Sequence, residues 1–132
     1  MNYRGDVIEE SLQDKSVLKN LNIINTRVEK VTSEHRTPWL KKWTLDTIEV
    51  QEGQAERLAE TLSKAIELGY WYIDYKNDHT HFVIFPNKIF KIDRKNPKEY
   101  VPAIKHGLTL NIPRYQLDFG VPESKQWERP KE

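Results

Sequence analysis

Between Tyr70 and Asp93 three apolar runs follow one another with almost nothing between them. Tyr70–Tyr75 (YWYIDY) is separated from His81–Phe85 (HFVIF) by a turn containing Lys76-Asn77-Asp78, and that run is separated from Lys88–Asp93 (KIFKID) by Pro86-Asn87. Connections this short join only antiparallel neighbours, so the segment must fold as a β-meander. The first two runs are apolar on both faces. They are expected at the centre of a sheet, with both faces covered.

The element before the meander has the other period. Over residues 54–68, Ala55, Leu58, Ala59, Leu62, Ala65 and Ile66 recur at the spacing of one helical face, with Glu56, Arg57, Glu60, Lys64 and Glu67 opposite. Gly69 follows where a left-handed C-cap glycine belongs. Upstream, residues 3–12 read as a strand centred on Val7-Ile8. Residues 16–21 read as a helical turn or two capped by Asp14. Residues 22–31 and 39–50 read as further strands, the second entered through the polar, proline-ended loop 32–38. The strands on either side of the helix are expected to run parallel through a right-handed crossover. Downstream, Asn96, Pro97 and Glu99 have the pattern of a capped helix start, and Gly107 of its end. The expected fold is α+β: a mixed, mostly antiparallel sheet of five to six strands, with one main helix (54–68) on one face and short C-terminal helices. Residues 1–119 form the domain, and 120–132 a polar, loosely held tail with Trp127 as a docking point.

Composition excludes several classes of chemistry. The 132 residues include no cysteine, which removes disulfides, thiolate metal sites and cysteine nucleophiles. The start of the chain does not read as a signal peptide, and no apolar run reaches the roughly 18 residues of a membrane span. Together these point to the cytoplasm and away from a membrane. Lys and Arg number 21 against 20 Asp and Glu, a balance that argues against nucleic acid as a partner. The five glycines stand singly, without a phosphate-binding loop, and no serine sits in a Gly-x-Ser-x-Gly context. No cofactor is expected.

The segments YRGDVIEESL (3–12), TPWLKKWTL (37–45), WYIDYKND (71–78) and KIFKIDR (88–94) resemble, in this order, those of a family of small uncharacterised prokaryotic proteins of about this length. The resemblance implies a cytosolic bacterial or archaeal protein. It brings no activity and no site residues with it.

Candidate chemistry then rests on individual side chains, each with a plainer alternative. His79 and His81 stand two apart and could hold a metal with Asp74 or Asp78. His79, however, falls in the turn, which breaks the shared face. His35 and His106 are isolated, and either could be a general base only if folding brings it to Asp46 or Asp74. Trp39, Trp43, Trp71 and Tyr72, with Lys41, Lys42 and Lys76 nearby, could stack on a flat ligand or on single-stranded nucleic acid. Trp43 and Trp71 serve equally well as core against Leu58, Leu62 and Ile66, which leaves Trp39 as the exception. Asp74, inside an aromatic strand, needs a partner, with Lys91, Arg94 and His81 in range of the sequence.

The leading expectation is a non-enzymatic binding domain for a protein or a small polar ligand, with Trp39, Lys41, Asp74, Lys76 and His81 as candidate contacts. A homodimer covering one sheet face goes with it. The competing readings are a small enzyme with a pocket around Asp74 and His81, and a weak single-strand nucleic-acid binder.

Overall fold

Six strands and two α-helices, joined by short 3-10 turns and loops, build the domain, and the computed structural model describes residues 1–117 and Phe119. The expected tail at 120–132 lies outside the described residues, and so does Trp127. The strands are β1 (Tyr3–Ile8), β2 (Asn22–Lys30), β3 (Lys42–Val50), β4 (Ile73–Lys76), β5 (Thr80–Phe85) and β6 (Lys88–Asp93). The helices are α1 (Ala55–Ala65) and α2 (Tyr100–Thr109). The sheet order is β2-β3-β1-β4-β5-β6, with every neighbouring pair antiparallel. The fold is therefore α+β, and the meander β4-β5-β6 forms as its turns require.

β1 modifies the expected crossover. β3 and β4 do run in the same direction, but β1 lies between them and pairs with both. Gly5 makes this insertion possible. A Cβ there would lie 1.9 Å from the Asp74 carbonyl oxygen and 2.7 Å from the Tyr75 Cα. Only a residue without a side chain lets the β1 and β4 backbones approach so closely.

One face of the sheet packs under α1. Tyr3, Val7, Ile48, Val50, Ile73, Tyr75, Phe82 and Ile84 meet Ala55, Ala59, Leu62 and Ala65 there. The Tyr75 hydroxyl donates to the Ala55 carbonyl (2.6 Å) and the Ser63 hydroxyl to that of Phe85 (2.8 Å), which pairs these two buried hydroxyls. On the other face α2 and the segment to Phe119 cover β5 and β6, burying Val83, Phe85 and Ile92 against Tyr100, Ala103, Ile112 and Leu117. On β5 and β6 the cover thus comes from the chain itself.

Several element ends differ from the periodicity. β1 stops at Ile8 because Glu9–Ser11 turns as a 3-10 helix, which carries Leu12 to an isolated bridge with Ile66. The same bridge ends α1 early. The Ala65 carbonyl is taken by the amides of Gln13 and Asp14, and Ile66 goes extended. Gly69 does adopt positive φ, but beyond the helix rather than as its cap. β3 starts at Lys42, so Trp39 falls in the preceding turn. Asn96 makes no side-chain cap. α2 runs past Gly107 and ends at left-handed Asn111 (φ 65°), where the Ile112 amide closes back on the Gly107 carbonyl. Gly107 is needed for packing instead, since a Cβ there would sit 2.5 Å from Leu117 Cδ2. The Asp14 cap forms as expected, accepting from the Ser16 amide at 3.0 Å.

Candidate functional site

Asp74 and His81 find each other. His81 Nε2 lies 2.6 Å from Asp74 Oδ2, and its Nδ1 lies 3.0 Å from the Tyr100 hydroxyl. A carboxylate only accepts, so Nε2 carries the proton toward Asp74. The free Nδ1 then accepts from Tyr100. Burial, outweighing the neighbouring Arg94, raises the Tyr100 phenol and keeps it a donor. Arg94 in turn donates to the Asn77 carbonyl at 2.6 Å. The result is a directed chain from α2 through β5 to β4.

The histidine of that chain is buried, while its carboxylate reaches the surface in part. His81 is 1 % exposed, and both its nitrogens are engaged within the protein. His79 is an exposed turn residue, and no group of three or more histidine or acidic side chains among the described residues could hold a metal. The other two histidines are separate. His35 packs edge-on to Trp43 and pairs with Glu29 at 3.1 Å, while its Nδ1 accepts from the Thr32 amide. His106 packs on Phe85, and burial lowers its pKa. Trp39 joins neither Asp74 nor His81. It is 62 % exposed and meets Tyr70 edge-on, with ring centroids 6.0 Å apart. Lys41 is exposed beside it, while Lys76 lies half-buried on β4. The five candidate residues therefore divide between two places.

The place beside Trp39 is concave. A cleft of about 580 Å³ is walled by Val31, Pro38, Leu40 and Tyr70, with Thr32, Ser33, Arg36, Thr37 and Asn111 supplying polar groups. Its volume falls within the usual range for small ligands. Two of the three non-glycine residues with positive φ among those described line it: Arg36 (φ 62°) and Asn111 (φ 65°). Left-handed backbone costs a residue like arginine about 1 kcal/mol and persists only where the surroundings impose it. They do so here. The Tyr70 hydroxyl donates to the His35 carbonyl (3.3 Å), the Gln116 amide to the Glu34 carbonyl (3.1 Å), and the Tyr115 hydroxyl to that same oxygen. Trp43 Nε1 holds Thr37 at 2.9 Å. Burial chiefly, with Tyr115 nearby, pushes the Tyr70 phenol up to about 12 against the opposing Arg36 charge, so it stays a neutral donor. Arg36 itself is exposed, with no carboxylate partner among the described residues.

Of this cleft the sequence offered only Trp39 and the polar loop 32–38. Arg36 carried no signal, because a left-handed residue other than glycine or asparagine is not predictable from its neighbours, and Asn111 lies far from the loop in sequence.

A second unexpected feature sits on the α1 face. Asp46 is 1 % exposed, and its Oδ1 accepts from the Thr26 hydroxyl at 2.7 Å. Its Oδ2 is the one buried side-chain polar atom among the described residues with no ordinary hydrogen-bond partner. The Glu9 carboxyl lies against it. A hydrogen bond to Asp46, burial, and the charges of Asp46 and Glu10 raise the Glu9 pKa to about 7, against the pull of Lys15. Two carboxyls can share a hydrogen bond only if one holds a proton, and a proton on Glu9 would give Asp46 Oδ2 the donor it otherwise lacks. Neighbouring Glu10 accepts from the Thr44 amide (2.6 Å) and hydroxyl (2.8 Å).

No family model, curated protein or solved structure matches the chain. Among the described residues, no helix is long and apolar enough to cross a membrane.

Proposed function

We propose that the domain is a non-enzymatic binding module whose recognition site is the cleft under Trp39. The observation that supports this reading best is the pair of left-handed residues, Arg36 and Asn111, held on one concave surface, while His81 is buried and bonded at both nitrogens. Strain of this kind gathers at ligand clamps. The walls are apolar and aromatic, and the one cation at the rim is a guanidinium without a partner. That combination suits a small carboxylate with a flat or apolar body, its charge on Arg36 and its body between Pro38, Leu40 and Tyr70.

Benzoate and its neutral analogue benzamide test this by amide-resolved NMR titration. Benzoate is expected to move the resonances of residues 31–40, Tyr70 and Asn111, and benzamide to move them far less. Arg36→Gly should abolish the benzoate response while raising stability by about 1 kcal/mol, because glycine carries no penalty at positive φ. A response centred on Asp74 and His81, or none at the cleft, would overturn the reading and favour the enzyme alternative or a protein partner.

A further inference from the structure

A second cleft, of about 390 Å³, opens at the other end of β2, between the start of that strand, the end of β3 and the start of α1. Nine residues of β2 separate it from the cleft under Trp39, roughly 30 Å of extended chain. Its lining is unusual in one respect. Asn2, Asn20, Asn22, Gln51 and Gln54 make up five of its ten residues, whereas only 13 of the chain's 132 residues are Asn or Gln. Carboxamides are thus concentrated about fivefold in this one place.

Their bonding separates them into two groups. Asn2 is fixed, donating to Glu49 Oε2 and accepting from the Glu52 amide, each at 3.3 Å. The side chains of Asn20, Asn22, Gln51 and Gln54 have no hydrogen-bond partner among the described residues. Each offers two donors and an acceptor toward the cleft. Asn22 stands directly across from Glu49 in the β2–β3 register, which adds a half-buried acid to the amides. Leu21 and Leu58, both half-buried, add carbon surface to the walls.

We infer that this cleft binds a neutral polyhydroxylated ligand of the size of a simple sugar. Hydroxyls both donate and accept, and so do amides, so the match needs no charge and avoids the cost of stripping water from one. The lining includes no Lys or Arg, so it offers nothing to hold a phosphate or carboxylate. Glu49 supplies the strong acceptor that orients a pair of vicinal hydroxyls, and the leucines meet the C–H face of the ring. The site is independent of the cleft under Trp39, and either can fail without the other.

The test is a titration of the isotopically labelled protein with glucose, with inorganic phosphate and methylammonium as charged comparisons. The side-chain amide resonances of Asn20, Asn22, Gln51 and Gln54 are followed. Glucose is expected to shift them saturably, with a dissociation constant of ~1 mM. Asn22→Leu and Gln51→Leu, both exposed positions that leave the core untouched, should each weaken the response ~10-fold, the equivalent of one good hydrogen bond. Resonances unmoved by glucose would overturn the inference. So would an equal response in the leucine variants, or a stronger response to methylammonium or phosphate, which would make the cleft an ion site.

Discussion

Removing the proton shared by Glu9 and Asp46 should cost stability in a defined pH window. In the folded chain Glu9 titrates at about 7, against an ordinary value of 4.5. A pKa raised on folding means that the folded state prefers the protonated acid. The stabilisation is therefore complete below pH 4.5 and is lost as pH rises through 7. The gap between 4.5 and about 7 sets a ceiling of about 3.4 kcal/mol. The Glu9 turn is only half-buried, so solvent screens much of this, and about 1 kcal/mol is the realistic size.

Urea unfolding at pH 5 and pH 8 measures it, with Glu9→Gln as the comparison. The carboxamide of that variant keeps a donor for Asp46 Oδ2 and never ionises. The wild-type chain should lose ~1 kcal/mol more than the variant between the two pH values. Other pH-dependent contributions, that of His106 included, act on both proteins and cancel in the difference. Asp46→Asn should likewise flatten the wild-type dependence, because it removes the charge that Glu9 avoids. If wild type and Glu9→Gln show the same pH dependence, the proton is not shared and Asp46 Oδ2 is an unexplained buried acceptor.

Two further changes probe the frame. Gly5→Ala drives a Cβ into backbone, not into a side chain that can rotate away, so β1 and β4 must separate. The expected cost is at least ~3 kcal/mol, read as a fall of ~10 °C or more in the melting temperature. His81→Leu strands the Asp74 carboxylate and the Tyr100 hydroxyl together and should cost ~3 kcal/mol in urea unfolding, whereas Trp39→Ala should stay within about 0.5 kcal/mol. A stable His81→Leu chain would mean that the hydrogen-bond chain is not structural, and the enzyme reading would reopen.

What the sequence made legible was local. The meander follows from two short turns between apolar runs. α1 follows from its period, and the Asp14 cap from one side chain next to its own turn. The pairing of Asp74 with His81 was among the options because β4 and β5 are hairpin partners, so register brings them onto one face. What stayed hidden depends on segments distant in sequence. The insertion of β1 between β3 and β4 is signalled only by Gly5, and a lone glycine has many meanings. Ile66 looked helical by period and is extended, because Leu12 offers it a bridge. Glu9 and Asp46 each read as ordinary strand charges, and only the folded turn sets one against the other. Both clefts likewise draw on β2, the loops beside it and residues far from it in sequence.

The same distinction separates architecture from recognition in this fold. Asp74, His81 and Tyr100 are buried or half-buried polar groups bonded to one another, and they tie β4, β5 and α2 together. At the two ends of β2 the balance is reversed. Arg36 carries a charge without a partner on a backbone conformation that disfavours it, and four carboxamides at the other end make no bond among the described residues. Groups bonded only to water add little to stability, and a left-handed arginine subtracts from it. Under the proposed reading the buried chain is frame, and the groups at the two ends of β2 are what the frame presents.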